Sequence, residues 1–208
     1  MLNICIYDNL SGLYIPLLWA LASHKSFEMY VQLFWDIAKL LPTNKKLRFT
    51  VDFEEKLIAA LKFIFDCEIC GCLYHFSECL LRKAQKLGLI SHSFEEETRQ
   101  VIKELKKFCF SDSNLSVILN EKKNSYKEKL SNLTSSSLEK NALDYYKGKR
   151  NIFLIQVLGM IDFLDYFIKQ WLPKYEQNII NYSKINEKER TNNALESYHG
   201  HLQSKLTK

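Results

Sequence analysis

No apolar run in this sequence is long enough to cross a bilayer. The longest, LYIPLLWALA from Leu13 to Ala22, has about half of the ~20 residues that a spanning helix needs, and no membrane contact is expected. The opening MLNICIYDNL has no basic segment, no sustained apolar stretch and no small-residue cleavage site, so no secretory signal is expected either. Charge of one sign is also weak: the net value is +5 at pH 7, with a pI near 8.8. That balance permits contact with phosphates without identifying nucleic acid as the partner. An intracellular protein follows as the expectation, and its six cysteines are expected to be reduced. The sequence carries no internal repeat and, after Gly88, no convincing strand.

What is present is a core. With 47% hydrophobic and 13% aromatic residues among 208, the chain can bury one domain, or one domain carrying an insertion. LNICIY alternates like a strand, Asn9 to Gly12 supplies a turn, and the run from Leu13 pairs back as a β-hairpin with Pro16 at a bulge or edge. Phe27, Tyr30, Val31, Phe34, Ala38 and Leu41 recur at helical spacing, with Ser26 as cap and Pro42 as stop. LRFTVDF reads as a strand ending at Asp52, and Leu57, Ala60, Leu61 and Ile64 mark a second helix. CEICGCLYHF reads as a short strand, followed by a helix from about Ser77 to Leu87 with Gly88 at its C-terminal cap. Strands alternating with helices imply an α/β sheet. Beyond Gly88, Ser93 and Glu96 form a capping box before a helix through Val101, Ile102, Leu105 and Phe108. A long apolar helix, NIFLIQVLGMIDFLDYFIKQWL, ends near Pro173.

Four features invite a chemical reading, and each has a plainer one beside it. Asp52, at the end of an apolar strand, stands where α/β folds gather ligands, yet Asp is also a favoured helix N-cap. From spacing alone the cap is the default. Cys67, Cys70, Cys72, Cys79 and His75 crowd together, but the second ligand pair of a zinc site is missing, so buried thiols are expected and no zinc. Glu196, His199 and Gln203 lie along the last helix beside an apolar stripe; a lone Glu near a helix start is by default a dipole-favoured surface acid. The segment 121–150 holds eight Lys or Arg against four acids, which suits either phosphate contact or a solvated linker.

Taken together, IPLLWALASHKSFEMYVQLF, LRFTVDFEEKLIAAL, GCLYHFSECLLRKAQKLGL, Tyr166-Phe167 with Trp171, and RTNNALESYHGHL occur in the order found in Mutator-like element (MULE) transposases. The chain resembles the catalytic domain of that family over nearly its whole length. The counterparts are Pro16 to Lys25, Thr50 to Glu54, Cys72 to Phe76 with Leu81-Arg82 and Gly88-Leu89, and Arg190 to Glu196. The resemblance implies a ribonuclease H-like α/β fold with a large helical insertion before the last helix. It also implies DDE chemistry, in which three carboxylates hold two divalent cations, Mg2+ or Mn2+, for DNA cleavage and strand transfer. Asp52 and Glu196 would be the second and third of these catalytic, metal-binding acids, and Cys72 with His75 the family's C-x-x-H pair. The implied partner is DNA and the implied location is the nucleus, while backbone groups exposed by a missing strand predict poor solubility or pairing with another chain, as in a homo-oligomer. Lys122, Lys123, Lys127, Lys129, Lys147, Lys149, Arg150 and Arg190 are the candidate DNA contacts.

One part of the pattern has no counterpart. The family's first acid stands in a D-G-T-F strand before the hairpin, and these 208 residues hold no such motif. Asp8 falls at the hairpin turn, where turn chemistry is its default role. The expectation is therefore a ribonuclease H-like core lacking its first strand over 1–90, a mostly helical insertion over 91–188, and a final core helix bearing Glu196 over 189–208. As two acids of three should bind metal poorly, the fragment is expected to be inactive alone. The alternative is a domesticated, non-catalytic remnant that binds DNA or protein.

Overall fold

A computed structural model describes residues 2–8, 13–20, 24–41, 47–90, 95–111, 114–135, 143–183, 185 and 190. The protein is mixed α/β and mostly helical. It divides into two compact units, one made of Met1–Phe76 with Ile185–Lys208 and the other of Ser77–Lys184. The sequence reading placed this division later, at residue 90, with the return at 188.

The first unit opens with the expected hairpin, β1 (Leu2–Asp8) antiparallel to β2 (Leu13–Ala20). Ile4 faces Leu18 while Cys5 faces Pro16, so the register shifts by one residue beside the proline. Proline has no N–H to give a ladder, and a bulge tolerates that loss. Asp8 closes β1 opposite Leu13. Helix α1 (Phe27–Ala38) starts where Ser26 Oγ accepts the Met29 N–H at 3.2 Å, the predicted cap. It buries Tyr30, Phe34 and Ile37 and packs on α2 (Glu55–Ile64), which buries Leu57, Ile58, Ala60 and Leu61. Between them in sequence is β3 (Leu47–Val51), which pairs in parallel with β4 (Cys67–Gly71). Arg48 and Glu68 are register partners and form an ion pair at 2.8 Å on the exposed side. Phe65 joins the layers, with ring centroids 5.3 Å from Phe49 and 6.1 Å from Phe34. Among the described residues the strands form two separate two-stranded sheets.

Helix α3 (Leu73–Lys86) opens in the first unit and continues into the second. It starts four residues before the expected Ser77, because the strand stops at Gly71 and the chain turns at once into a helix. Its far end is as expected. Gly88 adopts φ +69°, the Leu89 N–H reaches Ala84 O at 3.0 Å, and the Gly88 N–H reaches Gln85 O at 3.0 Å. These two bonds form a Schellman cap, which needs a left-handed residue that glycine adopts without strain.

The second unit adds α4 (Glu95–Phe108), α5 (Leu115–Ser135), α6 (Leu143–Gln170) and the short α7 (Leu172–Glu176), which has Pro173 in its first turn. Ser93 of the expected capping box lies outside the described residues. Much of 121–150 is helix rather than linker, as α5 and the start of α6 occupy it. The core is formed by Leu105, Leu115, Leu119, Met160, Phe163, Phe167 and Tyr182, all almost fully buried. Thr98 is buried, and its hydroxyl donates to Leu89 O at 3.0 Å. Among the described residues no helix is long and apolar enough to cross a membrane.

Gly159 is where α6 passes closest to the cap of α3. A Cβ there would lie 3.2 Å from both Leu87 O and Leu89 Cδ2. Gly159→Val should therefore overpack the contact and cost about 1–3 kcal/mol, read as a lower urea midpoint with an unchanged slope.

Candidate functional site

Asp52 is the residue immediately after β3, at the carboxyl end of the parallel pair, and is half-buried. The competing role as a helix cap is not the one it takes. The N-cap of α2 is Glu54, and that cap makes no side-chain hydrogen bond. Asp52 is thus separated from that cap by one residue, Phe53.

Backbone hydrogen bonds gather three distant segments at this point. The Cys72 N–H donates to Val51 O at 2.7 Å, extending the β3–β4 pairing by one residue past Gly71. The next N–H, that of Leu73, donates to Arg190 O at 2.8 Å. Arg190 Nε donates to Ile185 O at 2.8 Å, which uses part of a guanidinium proposed for DNA on its own chain. Asp52, the C-x-x-H pair and the start of the R-T-N-N-x-x-E segment therefore meet at one end of one sheet. Glu196 itself, with His199 and Gln203, lies outside the described residues.

The thiols resemble packing groups. Cys70 and Cys72 are fully buried, and the Cys67 and Cys70 thiols point to the carbonyls of Leu61 and Gly71. His75 is in the first turn of α3, its Nδ1 buried and its ring edge-on to Tyr74 at 5.7 Å. Cys79 is in the other unit. Among the described residues no group of three His, Cys, Asp or Glu side chains is placed to hold a metal. What Asp52 offers is a hard oxygen donor.

Sequence reasoning missed the neighbours of Glu54. Its Oε2 accepts from Lys25 Nζ at 3.0 Å and its Oε1 accepts from the Tyr30 hydroxyl at 2.8 Å. Lys25 and Glu54 both stand inside resembling motifs, so the residues were visible, but their pairing was not.

The lysine segment has a different character from that expected. Lys122 binds Glu104 at 2.6 Å, Lys123 binds Asp165, and Lys129 binds Glu97 at 3.1 Å. The Tyr126 hydroxyl also donates to Glu97 at 2.6 Å, and Lys129 lies over the Tyr126 ring. These groups fasten α5 to α4 and α6. Lys127 is exposed, and of Lys147, Lys149 and Arg150 only the α6 backbone is described. Comparison with family models, with curated proteins and with solved structures finds no match for this chain.

The hydrogen bond from Lys122 is the main reason that the Glu104 carboxyl titrates below its ordinary value. A depressed folded pKa gives stability that is full above the unfolded value, ~4.3, and is lost as pH falls through the folded one. Lys122→Met should cost about 0.5–1 kcal/mol at pH 7 and flatten the acid side of the stability curve, measured by urea unfolding at pH 7 and pH 3.

Proposed function

We propose that these 208 residues derive from the catalytic domain of a MULE-type DDE transposase, built on a ribonuclease H-like core with a helical insertion. In this reading the chain keeps the second and third acids and does not turn over DNA alone. One observation carries the proposal: the hydrogen bonds from Cys72 to Val51 and from Leu73 to Arg190 bring three of the resembling motifs to one sheet end. Packing alone has no need for motifs 20 and more than 100 residues apart to meet beside an aspartate.

The order of elements supports the same reading. Hairpin, helix, strand, helix, strand and helix, followed by a helical unit, is the order that the resemblance implies. Asp52 and Glu196 would hold the cation. When bound, a divalent ion in such a site supplies Lewis acidity toward a phosphodiester and its attacking water. In this reading the chain's own contribution is to hold Asp52 at the carboxyl end of β3, with Cys72 and His75 around the start of α3.

The alternative, a remnant that binds DNA through 122–150, draws less support. Three of its lysines already neutralise acids of their own unit, and phosphate binding needs cations to spare.

Mn2+ binding, followed by loss of the free-ion paramagnetic resonance signal, tests the site without requiring catalysis. Asp52→Ala and Glu196→Ala should each weaken binding by about tenfold or more, roughly 1.4 kcal/mol or above. Supercoiled plasmid should stay intact with Mg2+ or Mn2+. Mn2+ uptake indifferent to both substitutions would refute the metal site, and nicking abolished by Asp52→Ala would refute the inactivity.

A further inference from the structure

Asp52 and Glu54 are two residues apart in one short bend, and the charge of each reaches Lys25 and Tyr30, but the hydrogen bonds go to Glu54. Both Glu54 oxygens are engaged, one by the Lys25 ammonium and one by the Tyr30 phenol. Tyr30 is 3% exposed, stacked on Phe34 with centroids 6.1 Å apart, so its hydroxyl is delivered by a rigid ring. Burial first, and the Glu54 bond second, push its titration upward, which keeps it a donor. Lys25 is fixed from its other end as well, since Lys56 Nζ donates to Lys25 O at 3.3 Å. The backbone of Glu54 in turn starts α2, with the Ile58 N–H bound to Glu54 O at 3.0 Å.

A carboxylate bonded on one oxygen by an ammonium and on the other by a phenol has about half of its lone-pair sites in use, and the adjacent Lys25 cation repels a metal ion there. What such a carboxylate can do is hold its own backbone. The bend has an anchor on either side: Val51 is bonded to Cys72, and Glu54 to Lys25 and Tyr30. Only Asp52 and Phe53 lie between those anchors, too few residues for the carboxylate to wander.

We propose that Glu54 is a positioning residue: clamped by Lys25 and Tyr30, it fixes the bend that presents Asp52 at the end of β3. The inference rests on Asp52 being the metal carboxylate of the proposed function. The clamp itself can be tested apart from that reading.

The test uses the full chain and two readouts, amide hydrogen exchange across residues 51–55 and Mn2+ affinity. Glu54→Gln and Lys25→Met should each speed exchange at Phe53 and Glu55 by about tenfold or more while distant helices keep wild-type rates. Lys25→Arg should restore slow exchange. Tyr30→Phe keeps the ring packing and should give an intermediate effect. Glu54→Gln should also weaken Mn2+ by about tenfold with Asp52 untouched. Unchanged exchange in Glu54→Gln and Lys25→Met would overturn the clamp. So would loss of Mn2+ binding in Glu54→Gln with exchange unchanged, since Glu54 would then be a ligand itself. Should the wild-type chain take up no Mn2+, the metal reading of Asp52 falls, and the exchange rates alone still decide whether the clamp exists.

Discussion

The hydrogen bond from the Cys72 N–H to Val51 O is short, 2.7 Å, and much of the first unit depends on it. It closes the parallel pairing one residue past Gly71, so the chain must leave the sheet there and begin α3 with Leu73. That early turn points the Leu73 N–H at Arg190 O, which fastens Arg190 to the sheet end. At the start of a helix these amides have no partner within the helix, so capturing distant carbonyls satisfies groups that would otherwise need water. Backbone bonding thereby ties Val51, Cys72, Leu73 and Arg190 together at one sheet end.

The elements with local signals were legible in the sequence. Ser26 caps α1, Pro16 sits at the hairpin's register shift, and Gly88 closes α3, each for a reason contained in a few neighbouring residues. The start of α3 was not legible, since the apolar run CEICGCL continues smoothly and its break comes from Val51, about 20 residues back. Asp52 could be placed at a strand end, but its competition with Glu54 for the helix cap could not be judged without knowing that Lys25 and Tyr30 hold Glu54.

The partners of the α5 lysines were not legible either. The lysines of α5 look like a cationic surface when counted, yet their partners lie 18, 32 and 42 residues away in Glu104, Glu97 and Asp165. A long helix with few large buried side chains gains fixed register from such pairs, even where each contributes only ~1 kcal/mol or less. The helical unit is therefore fastened by charges whose partners composition alone does not show.

The central claim is that Asp52 and Glu196 belong to one metal site. A crystal structure grown with Mn2+, with the ion located by its anomalous scattering, tests it most directly. The account predicts one ion with an oxygen of each carboxylate at about 2.0–2.2 Å, near the distances usual for hard divalent cations. Carboxylates more than about 10 Å apart, too far to share a two-metal cluster, would contradict it.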